Sequence, residues 1–200
     1  SEMCIRDRET FYKEIKMATF TNSIKVTNVT LSSTVPQYSQ RAWTGVELRR
    51  LTGIQYYKLQ FTLNFEVKNR REVQAFIAEY QAGKPFTLSL GSAGLYQGTQ
   101  TGAVTATAAA TTGSMVVSTN TNNLQAGDMI QFTSHKKLYQ IVSKTANSIT
   151  IFPQLRQNVG INEVIVYNNL IIEARLDVDQ TFDMGISNVT SIQFNATENL

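Results

Sequence analysis

Histidine, cysteine and tryptophan each occur once in these 200 residues, and proline only three times. The lone Cys4 excludes an intramolecular disulfide and a cysteine metal cluster. One histidine and one cysteine are too few ligands for a zinc site of the usual kind. The same shortage removes the nucleophile, base and orienter sets on which hydrolases rely. His135 follows Ser134 and precedes Lys136-Lys137 in what reads as a hairpin tip, so a surface position is expected for it. Charge is scarce as well: 16% of residues are charged and the net is +3, too small and too scattered for a nucleic-acid partner. The pairs Arg49-Arg50, Arg70-Arg71 and Lys136-Lys137 read as solvated faces rather than phosphate contacts. No apolar run approaches the roughly 18–20 residues that cross a bilayer, so no membrane partner is expected.

Weaker chemical signals are no more productive. Asp177 and Asp179 would share one face of a strand, as paired carboxylates or as a solvated face. Gly91-Ser92-Ala93-Gly94 and Gly98-Thr99-Gln100-Thr101-Gly102 lack both the Lys-Ser/Thr of a phosphate loop and a helix behind them. An enzyme is therefore not expected, nor a cofactor or a metal.

What is present is pattern. Tyr57, Leu59, Phe61, Leu63, Phe65 and Val67 alternate with Lys58, Gln60, Thr62, Asn64 and Glu66, the period of a strand with one dry face. The period then changes. Val73, Phe76, Ile77 and Tyr80 fall at i, i+3, i+4 and i+7, one stripe of a helix. Asn69 and Glu72 suit a capping box, Gly83 a left-handed C-terminal position, and Pro85 a stop. Phe86, Leu88 and Leu90 resume as a strand. The helix is expected on the apolar face of the sheet, with Phe76 and Ile77 against Phe61, Leu63 or Phe65.

Elsewhere the chain reads as strands. Ile24, Val26, Val29 and Leu31 mark a first hairpin region, Gln37 to Trp43 a second candidate, and Arg49 to Gly53 a loop. Trp43 is either a core anchor or a subunit contact, since Trp and Arg are favoured at interfaces. Arg41, Trp43, Arg49 and Arg50 are the candidate subunit-interface residues. Gln97 to Asn123 is almost all Thr, Ala, Gly, Ser and Asn, and short strands follow around Met129–Phe132, Leu138–Val142 and Ser148–Phe152. Such spacing predicts a small barrel or sandwich. Alternation returns at Leu170 to Val178, in a strand expected to pair with the Tyr57–Val67 strand, and a last strand is expected near Val189 to Phe194.

The predicted fold is mainly β: a β-sandwich host domain with one helix, made of residues 17–91 and 167–200, and an inserted OB-like β-barrel module of residues 92–166. Residues 1–16 carry four basic and four acidic residues and no apolar stripe. Glu2 to Arg8 resembles translated sequencing-adapter read-through, so a non-native leader is expected before Met17; a short native helix is the alternative.

Arg41-Ala42-Trp43-Thr44-Gly45, the long aromatic strand, the single helix and Gly83-Lys84-Pro85-Phe86 resemble the host domain of distal tail proteins of tailed bacteriophages. Leu124, Ala126-Gly127-Asp128, Ile130 and Phe132, then Tyr139-Gln140-Ile141 and Pro153, Leu155-Arg156, resemble the module inserted in minor tail proteins of this kind. The resemblance implies a structural virion protein: a homohexameric ring at the tail tip, assembled in the host cytoplasm, joining tail tube protein to tail hub protein. It implies that the host domain makes the ring and the insert points outward. It transfers no active site. The alternative is a carbohydrate-binding module whose Thr/Asn-rich insert grips host-surface glycan, with Tyr96, Phe132, Tyr139 and Phe152 as either core or binding face.

Overall fold

A computed structural model describes residues 18, 20–183, 185 and 187–200, and the expected leader lies outside them. In chain order the strands and helix are β1 (Lys25–Thr34), β2 (Gln37–Arg41), β3 (Glu47–Leu51), β4 (Tyr56–Glu66), α1 (Arg70–Tyr80), β5 (Phe86–Ser89), β6 (Val104–Thr105) and β7 (Val116–Ser118). They continue with β8 (Met129–Phe132), β9 (His135–Lys144), β10 (Ser148–Phe152), β11 (Val164–Val166), β12 (Ile171–Leu176) and β13 (Val189–Glu198). The protein is mainly β, with one α-helix among the described residues.

Five strands form an antiparallel sheet in the order β1-β4-β13-β12-β5. The alternation in β4 does what its period dictates: Tyr57, Leu59, Phe61, Leu63 and Phe65 are buried, and the residues between them face outward. The Ile24–Leu31 region is one strand rather than a hairpin. Val26 opposes Leu63 and Leu31 opposes Leu59, so six residues of β1 span five of β4. A bulge at Asn28-Val29, with Asn28 at φ 52°, absorbs the extra residue and keeps both side chains on the dry face.

Helix α1 lies on that face with Val73, Phe76, Ile77 and Tyr80 all buried. Phe76 meets Phe194 and Phe86 edge-on at 5.6 and 5.4 Å, and Phe194 stacks on Phe61 at 5.2 Å. Each such aromatic removes apolar area worth about 1.5–3 kcal/mol. Gly83 adopts φ 82° and donates to the Tyr80 carbonyl. The capping box does not form. A 3-10 turn at Val67–Asn69 feeds directly into the helix, so Asn69 lacks the extended backbone a cap needs, and its side chain makes no capping bond. Glu72 instead accepts from the amide and hydroxyl of Thr21, both at 2.8 Å.

The expected partner of β4 is corrected. β13 pairs with β4 along its length, from Val189↔Glu66 to Thr197↔Lys58, and β12 sits beyond it between β13 and β5. β12 also stops at Leu176. The Asp177 amide still donates to Asn195 O of β13 at 3.0 Å, but Asp179 turns at φ 59°, so the two carboxylates do not share a strand face.

Six further strands follow the order β6-β11-β8-β9-β10-β7. The sheet curls until its outer strands touch. Ala106 bridges Thr119, the Thr107 amide donates to Ser118 O, and the Asn120 amide donates to Thr105 O. Val104, Phe132, Tyr139, Ile141, Ile149 and Ile151 fill its interior. The chain enters and leaves this sheet at one place. The Leu90 amide donates to Leu170 O, the Leu170 amide donates to Gly94 O, and Tyr96 packs edge-on against Tyr167 at 5.0 Å. Leu138 belongs to the core of the first sheet, and Met129 and Val166 pack against it.

Candidate assembly surface

β2 and β3 form a two-stranded hairpin outside both larger sheets. The segment expected as a loop at Arg49–Leu51 is thus strand, and all ten strand residues are exposed. Register sorts its side chains. Tyr38 opposes Arg50, Gln40 opposes Leu48, and Ala42 follows opposite Val46, which puts Tyr38, Val46, Leu48 and Arg50 on one face. Gln37, Ser39, Arg41, Glu47 and Arg49 occupy the other, with Leu51 at its root end. The hairpin is amphipathic, and its apolar face is bare. A two-stranded hairpin alone in water is marginal, so such a face asks for cover.

Trp43 stands at the tip, fully exposed. The core-anchor reading is overturned: the turn that carries Trp43 projects from the sheet and brings no apolar neighbour to it. Arg49 is held by Glu47, with N···O distances of 3.0 and 3.2 Å, and Arg41 donates to the Gly45 carbonyl at 3.3 Å. Arg50 has no ion pair among the described residues. The four residues picked from the sequence therefore lie on one hairpin: Trp43 at the tip, Arg50 on the apolar face, Arg41 and Arg49 on the polar one.

The root of the hairpin is clamped. The Thr52 hydroxyl donates to Pro36 O at 2.8 Å, Gln55 Nε2 to Ser33 Oγ at 3.0 Å, and Arg156 to Gly53 O at 3.4 Å. Below it lies a buried polar cluster between the two larger sheets. Lys137 Nζ donates to Glu198 Oε2 at 2.5 Å, to Gln55 Oε1 at 2.8 Å and to Gln55 O at 3.1 Å. Glu198 also accepts from the Tyr57 amide at 3.0 Å and the Leu138 amide at 3.4 Å. Burial pulls the Lys137 ammonium below its usual range, against the opposing pull of Glu198. Burial, aided by the Glu198 charge, pushes the Tyr57 hydroxyl up to about 12.

This cluster was missed in the sequence, where Lys136-Lys137 read as a solvated pair. Period two held the signal: in β9, Lys137 shares the buried parity of His135, Tyr139 and Ile141, and Lys136 the exposed one. His135 is likewise corrected from surface to interior. It lies at hydrogen-bonding distance from Tyr139 Oη (2.8 Å) and Ser134 Oγ (2.9 Å), and it stacks on Phe132 at 5.5 Å. Burial lowers its pKa, partly opposed by Glu163. Glu163 itself is raised by burial but held lower by hydrogen bonds from Ser134 and the Gly160 amide, with the latter direction prevailing. Of the four aromatic candidates for a glycan face, Phe132 and Tyr139 are wholly buried, and Tyr96 and Phe152 are half-buried.

Among the described residues no three His, Cys, Asp or Glu side chains gather as a metal site, and no helix is long and apolar enough to cross a membrane. Compared with models of known families and with curated proteins, the chain matches none.

Proposed function

We propose that the protein is a structural component of a bacteriophage tail tip, a distal tail subunit that builds a homohexameric ring and joins tail tube to hub. The observation that carries this reading is the bare amphipathic hairpin of β2 and β3 with Trp43 at its tip. A solvent-facing strand pair with an uncovered apolar face and an exposed indole is the composition of a protein contact. In this reading residues 17–91 and 167–200 are the host, a β-sandwich whose second layer includes α1, and residues 92–166 are an OB-like barrel inserted into it. The Arg156–Gly53 and Lys137–Glu198 contacts join insert and host.

Electron microscopy of the purified chain at tens of micromolar tests the assignment, together with the genes beside its own. Six-fold rings and neighbouring tape-measure and hub genes are the expected result. Monomers of a chain encoded far from any tail gene would contradict it.

A further inference from the structure

Tyr139 is wholly enclosed in the six-stranded sheet, and its hydroxyl has two hydrogen-bond partners among the described residues. The Arg156 amide donates to Tyr139 Oη at 3.0 Å, and His135 Nε2 lies 2.8 Å away. An amide N–H only donates, so the phenol's own proton goes to Nε2, which is then the bare nitrogen of a neutral ring. The ring proton therefore sits on Nδ1 and is donated to Ser134 Oγ at 2.9 Å. This order of donors satisfies every member of a chain that runs from exposed Ser134 to the turn after β10.

A second proton on the ring breaks that order. Nε2–H becomes a donor aimed at Tyr139 Oη, and the phenol proton is left without an acceptor among the described residues, in a dry site. The enclosed phenol ring has no room to turn away, whereas Arg156 is only half-buried. We propose that His135, Tyr139 and Arg156 form an acid-released latch, in which neutral His135 holds the Arg156 amide through Tyr139 and protonated His135 lets it go. The latch steadies a tie between the two larger sheets, because the Arg156 guanidinium donates to Gly53 O at the hairpin root. Leu155 keeps its own bond, from its amide to Ser114 O at 2.9 Å, so acid frees Arg156 and not the whole turn.

The charges around the ring set where the latch opens. Glu163, which accepts from the Ser134 and Gly160 amides at 2.9 Å each, favours the imidazolium, and burial disfavours it more strongly. Lys137, on the same buried parity of β9, is engaged by Glu198; Lys136 is exposed; Arg156 is the cation on the Tyr139 side. The latch is thus closed at pH 7.5 and opens as pH falls below the ordinary histidine range.

His135 is the only histidine, so nitrogen NMR of the full chain reads its tautomer without ambiguity. At pH 7.5 the proton should lie on Nδ1. Hydrogen exchange, corrected for the intrinsic pH dependence, should show the protection of the Arg156 amide falling about fivefold or more between pH 7.5 and 5, with that of the Leu155 amide unchanged. Tyr139→Phe should leave Arg156 poorly protected at both pH values, and His135→Gln should make its protection independent of pH. The measurements on the unaltered chain decide the matter even where a variant fails to fold. A ring proton on Nε2 at pH 7.5 would overturn the latch. So would Arg156 and Leu155 losing protection together, Arg156 protection that does not change with pH, or a pH dependence that survives in Tyr139→Phe.

Discussion

Lys137 and Glu198 meet at 2.5 Å across the join between the two larger sheets, with side chains only 5% and 1% exposed. Neither charge can be removed alone without stranding the other in a dry site. Lys137→Met should therefore cost about 3–5 kcal/mol in urea unfolding. Replacing both, as Lys137→Met with Glu198→Leu, should recover much of that loss, because no uncompensated charge is left. A double variant as unstable as the sum of the singles would show that the two residues act independently.

His135 makes stability sensitive to mild acid. Its folded pKa lies below the ordinary 6.5, so the unfolded chain binds the proton more readily as pH falls through that value. The stabilising difference is complete above the ordinary pKa and is lost as pH drops toward the folded one. Unfolding free energy should fall between pH 7.5 and 5.5, by no more than the roughly 1.4 kcal/mol that one pH unit below the ordinary pKa can supply. In His135→Gln that component should vanish; equal pH slopes in both proteins would assign it to other groups.

The entry to the six-stranded sheet is tight at Gly94. A Cβ there would lie 2.9 Å from Leu170 O and 3.0 Å from Leu90 Cβ. One contact is rigid backbone, so Gly94→Ala should cost about 1–3 kcal/mol by overpacking. Gly102→Ala, where only the end of the Gln100 side chain comes within 4 Å, serves as the control. Thermal melts of the two variants should separate them; equal melting points would mean that the Leu90–Leu170 join yields without cost.

Strand β4 and helix α1 were legible because each buries one face of a regular period, so the pattern is written locally. The order of the strands was not. β12 and β13 both alternate with apolar residues facing the same core, and nothing in either stretch says which lies beside β4. The hairpin was half visible. Gln37–Arg41 could be picked out, but Glu47–Leu51 has no alternation of its own and is defined only by its partner across the turn. For Trp43 the sequence left core and surface open, because bulk and hydrophobicity argue for a core; its position on the turn between β2 and β3 decides for the surface. Lys137 and His135 were read as surface because polar residues usually are; their burial depends on Glu198, Gln55 and Tyr139, two of them far away in sequence. The helix cap failed for a local reason, the 3-10 turn that precedes it.

If the β2–β3 hairpin is the assembly surface, its excision abolishes assembly. Pro36 and Thr52 already touch through a hydrogen bond of 2.8 Å, so residues 37–51 can be replaced by a short Gly/Ser turn without opening the β1–β4 pair. Sedimentation velocity at tens of micromolar should then show an oligomer for the intact chain and a folded monomer for the shortened one. An oligomer of unchanged mass after excision, or an intact chain that is itself monomeric, would contradict the account.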